Sequence, residues 1–254
     1  MVLNKQNKIT INVDPFNTDV SGHWTWMALG KTLLNAAEIH AKARGFGMSS
    51  VNSENYTWVL SRLCIEMRKM PKVWDSLIVN TWIDDIYRLF TNRNFSIKNK
   101  DGFVYGYAKS VWALIDYNTR EIINLSEIHG KDLAQYIDVQ EPCPISSSGR
   151  VKPIDDCYWV KDIQTSYTDI DINGHVNSIK YIEHILNLFP IKMFEKQHSP
   201  KRLEMAYIAE GVYDDCLSFY KKKNDDNTYD VEIRKKNNTE KKEEPLVRCK
   251  LFFN

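Results

Sequence analysis

Hydrophobic and polar positions along the chain follow two periods that alternate in a fixed order. Apolar residues recur at helical spacing from Asp19 to Arg44, and Gly45 is typical of the residue that follows a helix. After this helix come apolar segments separated by polar turns, which predict strands. These predicted strands are Trp58–Met67, Leu77–Ile83, Phe90–Ile97 and Tyr105–Ile115. The first half is therefore predicted to contain a strand, a helix and a run of strands.

The same order of elements returns in the second half. A strand is predicted at Tyr158–Thr165, and a helix from about Asn173 to Leu188 ends before Pro190. The strands predicted after this helix are Arg202–Glu210, Cys216–Lys221, Thr228–Arg234 and Val247–Phe253. Each half is thus predicted to be an antiparallel sheet wrapped around one central helix, which is an α+β fold.

Short matching segments indicate that the two halves arose by duplication. Residues 19–23 (DVSGH) match residues 171–175 (DINGH) at an offset of 152 (171 − 19). Residues 62–63 match residues 202–203 at an offset of 140 (202 − 62). Each match is short, but both occur in the same order on the same predicted elements. A repeat of roughly 100–120 residues has the size of a domain and is too long for a solenoid repeat.

A segment rich in proline and serine separates the two halves. It includes Pro142 and Pro144 and shows no sustained periodicity, which is typical of a linker. We therefore predict an N-terminal domain at residues 1–130, a linker at 131–155 and a C-terminal domain at 156–254.

Composition and charge limit the classes of function. The formal net charge of +1 gives no global electrostatic basis for binding nucleic acid. No apolar run approaches the ~20 residues that cross a bilayer, and the N-terminus lacks the apolar core of a signal peptide. The five cysteines are scattered without a C-x-x-C pair, which argues against a disulfide framework or a zinc site. We expect a cytoplasmic protein without membrane insertion, metal or nucleic-acid partner.

The densest polar cluster lies at residues 167–177 (YTDIDINGHVN), directly before the second predicted helix. A helix cap accounts for one short polar residue, but not for a whole set of polar residues. The set is Asp169, Asp171, Asn173, His175 and Asn177. The spacing D-x-D-x-N-G also opens calcium-binding EF-hand loops, which need a bidentate glutamate at the twelfth position. Lys180 occupies that position and would repel the metal, so we reject calcium binding.

Hydrolysis of a thioester accounts for the cluster better. At a helix start, free backbone N–H groups and the positive end of the helix dipole polarise an acyl carbonyl and hold the oxyanion that develops on it. Water attack also needs a base and groups that orient the water. Asp171, Asn173 and His175 have the chemistry for these tasks.

The segment DINGHVN at residues 171–177, followed by KYI at 180–182, resembles the catalytic segment of plant and bacterial acyl-ACP thioesterases. The first half resembles the family's N-terminal domain at residues 58–62, 81–82 and 110–112. The resemblance covers nearly the whole chain and implies two tandem hot-dog domains, with an acyl-chain pocket in the first. It also implies hydrolysis of fatty acyl-acyl carrier protein thioesters without a cofactor, with acyl carrier protein as the partner.

By this resemblance the family's catalytic Asp, Asn and His fall on Asp171, Asn173 and His175, and its catalytic Glu falls on Glu210. We predict that Glu210 and His175 activate a water, with Glu210 the favoured base. Asn173 is predicted to orient the water or the carbonyl, and Asp171 to fix the geometry of its neighbours. The backbone amides of Gly174 and His175 are the predicted oxyanion donors.

One position departs from the family pattern. Plant members carry a cysteine directly after the catalytic Glu, whereas this chain has Gly211, so we predict direct attack by water rather than by a thiol. In the first half the positions that match the cluster are Asp19, Ser21 and His23, and Met70 lies opposite the glutamate. Without the amide and the carboxylate, this half is predicted to be catalytically degenerate. One active site per chain is the expectation.

Other functions of a hot-dog protein stay open. An acyl-CoA thioesterase uses the same chemistry, and a dehydratase also places a histidine and a carboxylate at a helix start, although the Gly-His-Phe-Pro signature of dehydratases is absent. A non-catalytic acyl-binding protein is disfavoured by the intact Asn173, His175 and Glu210. Because two fused hot dogs replace the usual homodimer, a monomer and a homodimer are both compatible with the sequence. Basic clusters in the predicted C-terminal strands are interpreted as solvated charges or as a dock for the acidic carrier protein.

Overall fold

The computed structural model describes residues 4–125, 133–147, 149, 151–195, 200–224, 227–237 and 242–253. The chain divides into two compact units, residues 1–147 and residues 148–254. Parts of the predicted linker, at 131–132, 148 and 150, lie outside the described residues.

The first unit is an antiparallel sheet with a long helix. Its elements are β1 (Gln6–Asn12), a 3₁₀ helix (Pro15–Asn17), α1 (Trp26–Lys42), α2 (Met48–Ser53), β2 (Tyr56–Met67), β3 (Ser76–Tyr87), β4 (Phe90–Asn99) and β5 (Val104–Asp116). The strand order is β1-β3-β4-β5-β2, and every neighbouring pair is antiparallel. Leu29, Leu33, Ala36 and Ala37 form a buried face of α1, which packs against β1 and β3. Apolar residues three and four positions apart thus place the helix on the sheet.

The second unit repeats this arrangement. Its elements are β6 (Tyr158–Gln164), a 3₁₀ helix (Tyr167–Asp169), α3 (Ser178–Leu186), a 3₁₀ helix (Ile191–Phe194), β7 (Pro200–Tyr207), β8 (Cys216–Lys223), β9 (Thr228–Asn237) and β10 (Lys242–Phe253). The antiparallel order β6-β8-β9-β10-β7 equals that of the first unit when β1 to β5 are matched to β6 to β10. Helix α3 places the ring of Tyr181 near that of Tyr207 in β7, and the ring of His184 near that of Phe219 in β8. The shared topology confirms the predicted duplication.

The prediction of an α+β fold is confirmed, but the predicted helix starts are wrong. Helix α1 begins at Trp26 rather than Asp19, and α3 begins at Ser178 rather than about Asn173. The residues between these positions form turns in which backbone amides bond to an aspartate side chain, an alternative that short polar side chains offer to helical bonding. The sequence pattern also does not predict α2, whose sequence MSSVNS is mostly polar and small. Among the described residues, no helix has both the length and the apolar character needed to span a lipid bilayer.

Candidate active site

The predicted site begins with a tight turn closed by Asp171. The Asp171 carboxylate accepts hydrogen bonds from the backbone N–H groups of Asn173 at 2.8 Å and His175 at 3.3 Å. The Asp171 N–H donates to the His175 carbonyl at 2.8 Å. Gly174 adopts φ +81°, a left-handed conformation that glycine tolerates without steric cost. Asp171 therefore fixes the backbone from which the Asn173 and His175 side chains project.

The two backbone amides predicted to hold an oxyanion have partners within this turn. The Gly174 N–H donates to the Asp171 carbonyl at 3.1 Å, and the His175 N–H faces the Asp171 carboxylate. Both amides precede the first residue of α3, Ser178, so they lie outside the first helical turn. Their role as oxyanion donors stays a prediction, and it requires them to release these partners. By contrast, the Asn173 side-chain amide has no hydrogen-bonding partner within the described residues, which leaves its donor and acceptor available to a ligand.

Glu210 lies beside His175 because two backbone segments run together. The Val176 N–H donates to the Gly211 carbonyl at 2.8 Å, and His175 forms a β-bridge with Val212. His175 Nε2 and Glu210 Oε2 are 3.6 Å apart, and the side chains are 27% and 35% exposed. Catalytic hydrogen bonds are often this long in ligand-free proteins and shorten when substrate binds. The structure thus brings the predicted base and the predicted imidazole together at a solvent-accessible position.

Tyr181 supports the segment that carries Glu210, and sequence reasoning assigned it no role. Its hydroxyl accepts a hydrogen bond from the Gly211 N–H at 3.2 Å. A Cβ atom at position 211 would lie 2.7 Å from the same hydroxyl oxygen. Burial raises the pKa of Tyr181, so the hydroxyl stays neutral. Tyr181 therefore leaves no space for a side chain at position 211, where the resemblance implies a cysteine.

A buried Asp169–His184 pair holds the other side of the turn. One Asp169 carboxylate oxygen accepts from the Ser166 N–H at 2.8 Å, and the other lies 2.9 Å from His184 Nε2. Burial alone would raise the pKa of Asp169, but the Ser166 backbone N–H and His184 outweigh it and hold the pKa below its usual value. The Asp169 carbonyl also accepts from Asn177, the cap of α3, at 2.8 Å. Sequence reasoning assigned His184 no role, and the helical spacing of positions 177, 181 and 184 on one face is the signal that could have identified it.

The first unit contains the same turn. The Asp19 carboxylate accepts from the backbone N–H groups of Ser21 at 2.8 Å and His23 at 3.0 Å. Gly22 adopts φ +73°, close to the value of Gly174. The match at an offset of 152 therefore extends from sequence to hydrogen bonding.

The segment beside this first turn is also repeated, but its side chains differ. The Trp24 N–H donates to the Pro71 carbonyl at 2.8 Å, as Val176 does to Gly211. This pairing places Met70, which is 8% exposed, at the position equivalent to Glu210. The first unit thus keeps the backbone of the turn and lacks the carboxylate.

Two tandem units with the same topology, each with an aspartate-closed turn before its main helix, define a double hot-dog protein. Models of the N-terminal and C-terminal domains of acyl-ACP thioesterases match residues 4–129 and 154–248. The crystal structure of an acyl-ACP thioesterase from Bacteroides thetaiotaomicron VPI-5482 is 44% identical with a TM-score of 0.89, and the match covers 98% of both chains. The chain belongs to the acyl-ACP thioesterase family, as the resemblance predicted.

More distant relatives agree with the fold. The 12:0-ACP thioesterase from Umbellularia californica has a TM-score of 0.86 at 17% identity and covers 100% of this chain and 99% of that one, which supports the fold alone. A chloroplastic palmitoyl-acyl carrier protein thioesterase from Gossypium hirsutum is 26% identical over 189 residues, which is 72% of this chain and 46% of that protein. The chain spans about half the length of the curated relatives it matches.

Proposed function

We propose that the chain hydrolyses fatty acyl thioesters of acyl carrier protein, releasing a free fatty acid and the carrier thiol. The observation that supports this most directly is the 3.6 Å approach of His175 Nε2 to Glu210 Oε2 at the turn that presents Asn173. Membership of the acyl-ACP thioesterase family supports the choice of substrate.

In the proposed reaction Glu210 accepts a proton from a water molecule, whose oxygen attacks the thioester carbonyl carbon. The Asn173 side-chain N–H donates to the carbonyl oxygen while negative charge develops on it, a contribution of about 3–4 kcal/mol where such a donor is well placed. The tetrahedral intermediate collapses, the C–S bond breaks, and the thiolate takes up the proton that Glu210 received, passed through His175. Positioned general-base help of this kind contributes roughly 10²–10⁴-fold.

Acyl carrier protein is the proposed carrier, and its acidic surface calls for a basic dock. Several basic side chains of the second unit are engaged within that unit. Lys235 pairs with Asp215 at 2.8 Å, Lys236 pairs with Asp162 at 2.5 Å, and Lys221 donates to a backbone carbonyl at 3.0 Å. A carrier protein would have to compete with these partners. Binding of the carrier at the basic clusters therefore stays a prediction. The cytoplasmic location and the oligomeric state likewise stay predictions.

Free thiol release from acyl-ACP and acyl-CoA thioesters of graded chain length tests the proposal. The duplicated turn supplies matched controls, because Asn173→Ala and His175→Ala can be compared with Ser21→Ala and His23→Ala. We expect the first pair to lose about 10²-fold or more in rate and the second pair to stay within about twofold of wild type. Equal losses in both pairs, or no release from any acyl thioester by wild type, would rule the proposal out.

A further inference from the structure

The first unit holds a cavity beside α1, with a volume of about 550 Å³ including the space at its mouth. Its apolar wall includes Ala37, Phe46, Trp58, Ile83 and Leu133. A mostly apolar lining with a few polar groups is typical of a small-molecule site. An aliphatic chain suits this wall, which lies in the unit predicted to hold the acyl chain.

One residue of the wall is a buried cation that has no anion among the described residues. Arg93 of β4 is 7% exposed and lines the cavity. Its guanidinium has five N–H donors, but within the described residues its one hydrogen bond goes to the Thr81 hydroxyl at 3.3 Å, and no carboxylate lies within ion-pair distance. The Thr81 hydroxyl itself donates to the Asn94 carbonyl at 3.1 Å, so it does not depend on Arg93. A buried charge without a partner is strongly unfavourable, which points to a partner that the described residues do not supply.

The other polar groups at the cavity do not balance Arg93. The Glu38 carboxylate accepts the Met48 N–H at 3.0 and 3.1 Å, and Arg44 donates to backbone carbonyls, including that of His40 at 2.8 Å. Burial, together with the nearby Arg93, lowers the pKa of His40 to about 3, so this imidazole is neutral at pH 7. Burial lowers the pKa of Arg93 to about 9, which leaves it charged at pH 7. Among the described lining residues, two cations and one carboxylate leave the cavity short of one negative charge.

We propose that this cavity binds an aliphatic carboxylate, with the hydrocarbon against the apolar wall and the carboxylate paired with Arg93. A guanidinium donates two parallel N–H bonds to a carboxylate, the strongest pairing available to it. The carboxylate belongs either to a free fatty acid or to an acyl group with a second, terminal carboxylate. Only the second source rests on the proposed hydrolysis, because binding of a free acid needs no turnover.

Isothermal titration calorimetry of the full chain with octanoate, 1-octanol and acetate tests the site. Octanol keeps the chain without the charge, and acetate keeps the charge without the chain. Wild type is expected to bind octanoate at least about tenfold more tightly than either. Arg93→Met keeps an unbranched, flexible side chain and removes the charge, so it is expected to lose about tenfold in octanoate affinity with octanol affinity unchanged. Equal wild-type affinity for octanoate and octanol, or undiminished octanoate binding by Arg93→Met, overturns the proposal.

Thermal unfolding separates a ligand site from a structural role. Because Arg93→Met removes an uncompensated buried charge, the Tm of the ligand-free variant is expected to rise or to stay unchanged. Arg202 is the matched control, since it is 8% exposed and its Nε donates to Glu204 at 2.7 Å. Arg202→Met is expected to lower the Tm without changing octanoate affinity. A loss of Tm in Arg93→Met as large as that in Arg202→Met contradicts the proposal.

Wild-type protein decides the question even if Arg93→Met does not fold. Octanoate is then expected to shift NMR amide signals of α1 and β4, and the absence of such shifts at saturation overturns the proposal.

Thiol release identifies the source of the carboxylate. A preference for the octanedioyl over the octanoyl thioester, lost in Arg93→Met, assigns it to the substrate, whereas inhibition by free octanoate, relieved in Arg93→Met, assigns it to a free acid. A chain without any thiol release contradicts the proposed hydrolysis and leaves the calorimetric test of the cavity intact.

Discussion

The contact between Gly211 and Tyr181 predicts how the chain responds when a cysteine is placed after Glu210. A Cβ atom at position 211 would lie 2.7 Å from the Tyr181 hydroxyl oxygen and 3.1 Å from Val176 Cγ2. Tyr181 is 2% exposed, so it has little space into which to move. Gly211→Cys is therefore expected to destabilise the second unit by about 1–3 kcal/mol, the usual cost of adding atoms to a packed interior.

Tyr181→Phe removes the hydroxyl that obstructs the new side chain. On its own this change is expected to cost about 1 kcal/mol, because the Gly211 N–H loses its acceptor. In the double variant the added side chain takes the space that the hydroxyl left. The double variant should therefore lose less stability than the two single variants lose in total. The difference, the coupling energy, is expected to be about 1–2 kcal/mol.

Urea unfolding of wild type, both single variants and the double variant measures this coupling energy. Native-state hydrogen exchange of amides in β7 and β10 restricts the comparison to the second unit, which removes any contribution from the first. The reasoning would be refuted if the stability losses of the two single variants sum to that of the double variant within about 0.3 kcal/mol. The Tyr181 hydroxyl would then not be what closes position 211.

The duplicated turns, the buried His40 and the Asp169–His184 pair give three further tests. Asp171→Ala and Asp19→Ala are each expected to lose about 1–2 kcal/mol in urea unfolding, because each carboxylate bonds two backbone amides. Only Asp171→Ala is expected to lower thiol release, and equal activity of the two variants would contradict its assignment to the site. The pKa of His40 is lowered to about 3, mainly by burial, so the unfolded chain binds a proton that the folded chain excludes as pH falls below 6.5. Stability is therefore expected to fall by roughly 2 kcal/mol from pH 6.5 to 4.5, and His40→Gln should flatten this part of the stability profile. The pKa of Asp169 is below its usual value, so its stabilising effect is present above pH 3.8 and is lost as pH falls through the lower, folded pKa. Asp169→Asn should be less stable than wild type at pH 7, and a stability difference that does not narrow at low pH would contradict an ionised Asp169 beside His184.

The fold could be predicted in most of its elements because the buried face of each strand is apolar. Strand β5 spans Val104–Asp116, for example, and the pattern predicted Tyr105–Ile115. The DxxGH segment occurs twice and indicated the turn of the candidate site, whereas Glu210 was assigned by the family resemblance. The helix starts could not, because the Asp171 side chain bonds to backbone amides that a helical pattern assigns to the helix.

Tertiary packing determines the features that the sequence could not indicate. Arg93 lies in a strand, where a charged residue is normally assigned to an exposed face. Its burial depends on how α1 and the sheet close around the cavity. The contact of Tyr181 with Gly211 joins residues 30 positions apart, so no local pattern contains it.

The central claim is that the Glu210 carboxylate, beside His175, activates water for thioester hydrolysis. The most direct test is single-turnover thiol release from a fatty acyl-ACP by Glu210→Gln, which removes the charge at nearly constant volume. Glu183→Gln on α3 is the control, because its side chain is exposed to almost the same degree, 34% against 35%. We predict that Glu210→Gln lowers the single-turnover rate by about 10²-fold or more while Glu183→Gln stays within about twofold of wild type. A Glu210→Gln rate within about twofold of wild type would contradict the account.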